Sequence, residues 1–168
     1  MPTNKTLAMR VLEGGGIPYE VVEFPDSIHD AQGVAAYAGL PPEMVYKTLV
    51  VLPAETGLAS PKTKPFLILV AADRILDLKK VAHALGVKKL QMAPHDEAER
   101  LTGLKVGGIS ALALLNKGFP VFLDEQACLL EDIVVSAGQR GLNLRMKVED
   151  LVGVVGARWV DASREAGA

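Results

Sequence analysis

The sequence predicts an α+β fold organised around a mixed, largely antiparallel sheet. Two long apolar runs, residues 45–52 and 66–72, are joined by a loop rich in glycine, serine, proline and lysine at 54–64. The runs are nearly continuous in apolar residues, which is typical of neighbouring strands covered on both faces of a sheet. Segments with helical spacing that end at glycine lie before and after these strands, and they predict helices around the sheet.

The length and composition fit one domain that covers residues 1–168. The chain is 49% hydrophobic but only 5% aromatic, so its core must be built mainly of valine, leucine, isoleucine and alanine. Few aromatic side chains are available to stack bases, which argues against a platform for single-stranded nucleic acid. The composition therefore favours a compact mixed fold.

Helix boundaries follow from capping residues and glycine stops. The first helix is expected to begin after Thr3, with Leu7, Ala8, Val11 and Leu12 on its apolar face, and to end at glycines 14–16. The other predicted helices are one that Asp30 caps and Gly39 ends, one over 78–85 that Asp77 caps, and two over 94–102 and 149–155.

Short runs of β-branched and aliphatic residues, bounded by turn residues, predict the strands. Besides the two central runs, they cover residues 19–24, 88–93, 120–124, 133–136, 142–146 and 158–160.

Charge and targeting signals exclude several classes of protein. The net charge is -2 and the pI about 5.9, so we expect no DNA partner, because phosphate contacts need a basic surface. The amino terminus lacks a signal peptide and no apolar run approaches membrane-spanning length, which predicts a cytoplasmic protein with no membrane contact. The single cysteine, Cys128, excludes an internal disulfide and is expected to be a small core residue rather than a nucleophile.

Lys47 is the unusual residue of the first central strand. It follows Tyr46 and precedes Thr48 in an otherwise apolar run, and a cation there is costly unless its ammonium reaches a partner, a cleft or solvent. Lys47 is therefore either a side chain that extends from a strand end into water or a functional cation.

A glycine pair at residues 107 and 108 is the second candidate. Glycines free the backbone to direct consecutive N–H groups into one concavity, which can bind a phosphate or an oxyanion. The spacing in Val106-Gly107-Gly108-Ile109-Ser110 is not that of a phosphate loop. The alternative is a tight turn without a ligand.

Arg140 and the histidines complete the candidates. Arg140 lies in Ser136-Ala137-Gly138-Gln139-Arg140-Gly141 and is either a fork for phosphate or carboxylate, or a solvated residue of a hairpin loop. His29 is either a base or polar contact beside Asp30 or a surface residue without a role. The spacing of the histidines predicts no metal site, no serine–histidine–aspartate triad can be assembled, and no cofactor is expected.

Four blocks in order resemble the YbaK family of aminoacyl-tRNA deacylases, which includes the editing domain of bacterial prolyl-tRNA synthetases. These blocks are Val45-Tyr46-Lys47-Thr48-Leu49-Val50, Leu76-Asp77-Leu78-Lys79-Lys80-Val81-Ala82, Val106-Gly107-Gly108-Ile109-Ser110 and Ser136-Ala137-Gly138-Gln139-Arg140-Gly141-Leu142. The resemblance covers the chain from its first helix to about Val155.

The resemblance implies a barrel-like sheet with helices around it and a cleft for the aminoacylated 3' end of tRNA. The implied reaction is hydrolysis of the ester that links a wrongly attached amino acid to the terminal adenosine, with Cys- or Ala-tRNA(Pro) as the expected substrate and prolyl-tRNA synthetase or an elongation factor as a further partner. In family terms, Lys47, Gly107 and Gly108 match catalytic positions. Residues that match or accompany the substrate-binding positions are Phe24, His29, Thr48, Ile109, Ser110, Gly138 and Arg140.

Several departures from the family pattern bear on specificity. Ala111 stands where many relatives have proline, Ala137 replaces a glycine, and Asn143 stands where aspartate is frequent. The segment 24–29 also differs. The alternative hypothesis is therefore a module of the same fold that binds aminoacyl-tRNA, a nucleotide or a synthetase without hydrolysing it.

Overall fold

A computed structural model describes residues 4–53 and 64–166. Its helices are α1 (Leu7–Gly14), α2 (Ala31–Ala38), α3 (Leu78–Leu85), α4 (His95–Thr102) and α5 (Val148–Val155). Its strands are β1 (Glu20–Glu23), β2 (Tyr46–Pro53), β3 (Phe66–Ala71), β4 (Arg74–Leu76), β5 (Leu90–Met92), β6 (Val121–Asp124), β7 (Asp132–Gln139), β8 (Leu142–Lys147), β9 (Arg158–Val160) and β10 (Ser163–Glu165).

The central sheet has five strands in the order β5-β2-β3-β6-β9. The predicted central pair is confirmed, because β2 and β3 run antiparallel with Lys47 opposite Val70. Strand β6 pairs parallel with β3, and β9 pairs parallel with β6. The sheet is therefore mixed, as the sequence predicts.

A second, antiparallel sheet has the order β1-β8-β7. A bridge between Val45 and Val134 joins it to the start of β2. The pairing of β7 with β8 shifts register between Ser136 and Gln139, and such a bulge bends a strand. This bend lies in the segment that carries Gly138.

The core confirms that the central strands are covered on both faces. Successive side chains of a strand point to opposite faces, and β3 follows this rule. Leu67 and Leu69 pack in the largest apolar cluster, whereas Ile68 and Val70 pack in another. All four are almost fully buried, so Val70, the residue opposite Lys47, is packed in the core.

The caps and ends of the elements are partly as predicted. The side chains of Asp30 and Asp77 accept the N-terminal N–H bonds of α2 and α3. The cap of α1 is Thr6 rather than Thr3, and Thr3 lies outside the described residues, as does most of the predicted 54–64 loop. Strands β4 and β10, which pair with each other, were not predicted.

No helix within 4–53 and 64–166 combines the length and apolarity that crossing a membrane requires.

Candidate functional site

An open cleft of about 1060 Å³ lies where the two sheets meet. The start of β2, the turn between β3 and β4, the α2 region and the loops at 106–109 and 136–143 border it. Its lining includes Ser27, His29, Asp30, Tyr46, Lys47, Thr48, Asp73, Arg74, His95, Glu99, Gly107, Ile109, Arg140 and Asn143. The cleft thus brings together residues that are distant in sequence and rich in charge.

Lys47 is partly buried at the start of β2 and lines the cleft. Its Nζ donates a hydrogen bond of 2.9 Å to the carbonyl oxygen of Arg74. Burial lowers the pKa of Lys47 below its ordinary value, while the negative charges of Asp73 and Asp30 act in the opposite direction. Lys47 is therefore a cation in a cleft with two carboxylates nearby, and not a side chain extended into bulk water.

The two glycines of the 106–110 segment have different environments. Gly107 lines the cleft and has φ of +93°, and a Cβ there would lie 3.2 Å from backbone and side-chain atoms of His29. Gly108 is buried, and a Cβ there would lie 2.8 Å from the carbonyl carbon of Gln139. The N–H of Gly108 donates a 2.8 Å bond to the carbonyl of Lys105, so that N–H is already engaged within a turn.

Arg140 connects the two loops that border the cleft. Its Nε donates a bond of 2.7 Å to the carbonyl oxygen of Val106. The N–H of Val106 in turn donates 2.8 Å to a carboxylate oxygen of Glu99 on α4. Both backbone groups of Val106 are thus held by charged side chains, which fixes the position of the neighbouring Gly107.

Comparison with known proteins decides the family. The sequence matches the aminoacyl-tRNA editing domain family over residues 25–154. The chain belongs to this family. That result confirms the family and the enzyme class predicted from the sequence, aminoacyl-tRNA editing by deacylation.

Three similar proteins are informative. A protein of Enterococcus faecalis, provisionally named a Cys-tRNA(Pro)/Cys-tRNA(Cys) deacylase, is 33% identical and is aligned over 94% of this chain and 93% of its own. The proline–tRNA ligase of Geobacter sulfurreducens is 34% identical over 54% of this chain and 14% of the ligase. A crystal structure of a proposed trans-editing enzyme for prolyl-tRNA synthetase has a TM-score of 0.76 at 27% identity, with 96% of this chain and 99% of that chain covered. The editing-domain fold is therefore confirmed.

Six of the ten site residues predicted for this editing domain line the cleft, namely Lys47, His29, Thr48, Gly107, Ile109 and Arg140. The predicted blocks around Lys47, Gly107 and Arg140 therefore converge on one place, although they are separated by more than thirty residues in sequence.

The other four predicted residues do not line the cleft. Phe24 is buried in an apolar cluster with Val45 and Val134. Ser110 is 1% exposed, and its Oγ accepts a bond from the N–H of Ala113, so it caps a turn. Gly138 has φ of +101° at the bulge of β7 and packs against Ala113, and Gly108 packs against the Gln139 backbone. These residues shape the surroundings of the cleft. The catalytic role predicted for Gly108 and the substrate contacts predicted for Phe24, Ser110 and Gly138 stay predictions.

Asp73 and Glu99 are among the cleft residues that the sequence did not indicate. Asp73 lines the cleft, and its Oδ1 is buried without a hydrogen-bond partner among the residues that the structure describes, as are Tyr46 Oη and Thr48 Oγ1. Burial raises the pKa of Tyr46, so its hydroxyl stays protonated. Glu99 was also missed, although it holds Val106. The available signal for Asp73 was a charged pair, Asp73-Arg74, directly after an apolar strand.

Cys128 is exposed, which corrects the expected core position. It lies beside a second, smaller cavity with Trp159 and Lys147. Within the part of the chain that the structure describes, no three histidine, cysteine or carboxylate side chains are grouped as metal ligands would be.

Proposed function

We propose that this protein hydrolyses the ester of mischarged aminoacyl-tRNA in trans, with Cys- or Ala-tRNA(Pro) as its substrate. The observation that carries the proposal is the convergence of Lys47, Gly107 and Arg140 on one cleft in a chain of the editing-domain family. The relative provisionally named for Cys-tRNA(Pro) and Cys-tRNA(Cys) supports cysteine. We place the reaction in the cytoplasm and assign it to one domain over residues 1–168.

Lys47 acts in this proposal by positioning the substrate. Its partly buried ammonium, held by the Arg74 carbonyl, binds the phosphate or ribose of the terminal nucleotide and polarises the ester carbonyl. A fixed charge in a partly desolvated cleft interacts more strongly than the same charge in water. An ester needs little further activation, so holding it beside a water molecule can account for much of the acceleration.

Gly107 rather than Gly108 is the glycine that lies at the substrate. The N–H of Gly108 is bonded to Lys105, which leaves Gly107, on the cleft surface, as the backbone group that meets the developing charge of the carbonyl. A single oxyanion donor is typically worth about 100- to 1000-fold in rate. The close approach of Gly107 to His29 explains why a side chain is excluded there.

Substrate size is selected by the apolar part of the cleft. Leu49 and Ile109 lie on its wall together with the Thr48 side chain. Each methylene that a site accepts or rejects changes specificity by only about 1–3 kcal/mol. We therefore expect a preference for cysteine and alanine over larger residues that is graded rather than absolute.

A deacylation panel tests the proposal. Purified protein is incubated with Cys-, Ala- and Pro-charged tRNA(Pro), and the release of each amino acid is measured against the spontaneous rate. We expect release of cysteine or alanine by wild-type protein and its loss in Lys47→Ala. Lys79→Ala, an exposed lysine outside the cleft, is the matched control and should keep full activity.

Two results would reject the proposal. The first is release of the amino acid from all three charged tRNAs at only the spontaneous rate. The second is equal activity of Lys47→Ala and wild type. Tight binding of charged tRNA without turnover is the outcome that the binding-module hypothesis predicts.

A synthetase partner is part of the same proposal. The net charge of -2 gives little attraction to tRNA phosphates, and the similarity to part of a proline–tRNA ligase points to prolyl-tRNA synthetase as the partner. Bound on the same tRNA, the synthetase raises the effective concentration of substrate. Adding it should increase the deacylation rate at sub-saturating tRNA, and an unchanged rate would remove this part of the proposal.

A further inference from the structure

A fully buried carboxylate, Asp124, lies at the end of β6 and outside the cleft. Its Oδ1 accepts a bond of 2.8 Å from the N–H of Ala162, and its Oδ2 accepts a bond of 2.5 Å from the hydroxyl of Ser163. A buried carboxylate is costly unless it is hydrogen-bonded. Both oxygens of Asp124 are satisfied by the segment that leads into β10.

Ser163, which is also fully buried, is hydrogen-bonded to Arg74 as well as to Asp124. Its hydroxyl has one proton, which it donates to Asp124, and its oxygen accepts a bond of 2.6 Å from Nε of Arg74. Nη2 of Arg74 also donates to the Ser163 carbonyl at 3.3 Å. The hydroxyl therefore bridges a buried carboxylate and a guanidinium, and bonds to charged groups are the stronger kind.

The backbone of Arg74 links these hydrogen bonds to the cleft. The carbonyl oxygen of Arg74 is the acceptor for Nζ of Lys47 at 2.9 Å. Strand β4, which begins at Arg74, has three residues and forms a two-stranded sheet with β10. The side-chain bonds of Arg74 to Ser163, together with the pairing of Arg74 and Glu165 between β4 and β10, hold the carbonyl that accepts the bond from Lys47.

We propose that Asp124, Ser163 and Arg74 are positioning residues for Lys47. Neither Asp124 nor Ser163 lines the cleft, so both act on the reaction through Arg74. The inference rests on the proposed function, in which Lys47 orients the substrate. It assigns a role in the reaction to β10, whose three residues lie outside the cleft lining.

Ser163→Ala is the direct test, because it removes the bridging hydroxyl and little volume. We expect kcat/KM for Cys-tRNA(Pro) to fall by about 10- to 100-fold, as small misplacements of a reacting group do. The pKa of Lys47, read from the pH dependence of its trace acetylation by mass spectrometry, should rise toward 10.5 as loosening admits water. Lys79 in the same sample provides the reference lysine.

Leu12→Ala is the control for a purely structural effect. Leu12 is fully buried in α1, outside the cleft, so its truncation should lower the melting temperature and leave kcat/KM and the pKa of Lys47 unchanged. If Ser163→Ala behaves like Leu12→Ala, the positioning role is refuted. Asp124→Asn, which keeps the shape of the side chain, provides the same readouts if Ser163→Ala does not fold.

The two proposals fail in different ways. If wild-type protein deacylates no charged tRNA, the function is wrong, but the acetylation of Lys47 still tests the network. If Lys47→Ala is inactive while Ser163→Ala keeps full kcat/KM, only the network is wrong.

Discussion

Replacing Gly108 with alanine tests whether the two loops at the cleft must touch through their backbones. The added Cβ would lie 2.8 Å from the carbonyl carbon of Gln139 and 2.9 Å from the nitrogen of Arg140. These are backbone atoms and cannot rotate away. Carbon atoms pack best at about 3.5–4.0 Å, so the loops must separate by roughly 0.7 Å. Overpacking of this kind typically costs about 1–3 kcal/mol of unfolding free energy.

The separation also changes the cleft. The bond from Nε of Arg140 to the carbonyl of Val106 is 2.7 Å long, and moving the loops apart by that amount would lengthen it to about 3.4 Å, beyond the usual range. Gly107 would move with Val106. A displacement near 1 Å at a reacting group can lower the rate by about 100-fold, so Gly108→Ala should lose both stability and activity.

Urea unfolding and single-turnover deacylation measure the two effects. Gly153→Ala is the matched control, because Gly153 lies inside α5 and an added Cβ would have no atom of the described residues within 4 Å. Alanine in a helix interior should stabilise the protein by about 0.5–1 kcal/mol there. If Gly108→Ala unfolds at the same urea concentration as wild type and keeps its rate, the loops do not depend on this contact and our reasoning is wrong.

Two further substitutions follow from the charges of the cleft. Burial lowers the pKa of Lys47 below 10.5, so protonation of Lys47 destabilises the folded state. The unfolding free energy of wild type relative to Lys47→Met should therefore rise as the pH increases from the pKa of the folded state toward 10.5. A difference that does not change with pH would contradict the burial effect. Arg140→Ala removes the bond to Val106. It should lower the free energy of unfolding in urea by about 1.5–3 kcal/mol and remove most of the deacylation activity. Lys105→Ala, at an exposed neighbouring residue outside the cleft, should change neither the stability nor the rate.

The central part of the fold was predictable because its signals are local. Strands β2 and β3 appear as long apolar runs, and the caps of α2 and α3 appear as single aspartates before helical patterns. Strands β4 and β10 have no such signal. Each has three residues and includes an arginine, and the contacts that hold Ser163 come from Asp124 and Arg74, which are distant in sequence.

The sequence predicted where the site lies better than it predicted which residues line it. Lys47, Gly107 and Arg140 were indicated by residue type and by order along the chain, and all three line one cleft. A glycine pair looks the same whether a glycine faces a ligand or another backbone, so the different environments of Gly107 and Gly108 could not be read from sequence. The core position of Phe24 could not be predicted for a similar reason, because a motif does not fix the direction of a side chain.

Lys47 is where the demands of stability and function oppose each other. Burial disfavours its charge, and Asp30 and Asp73 compensate in part, while the Arg74 carbonyl satisfies one of its N–H groups. A methionine of similar length would fill the same space without a desolvation cost, and exchanges of this kind commonly stabilise a protein by about 0.5–2 kcal/mol. The fold alone gives no reason for a lysine here, whereas a substrate with a phosphate and an ester carbonyl does. Lys47→Met should therefore be more stable than wild type at neutral pH and inactive, and an active or destabilised variant would remove this reason for assigning the reaction to Lys47.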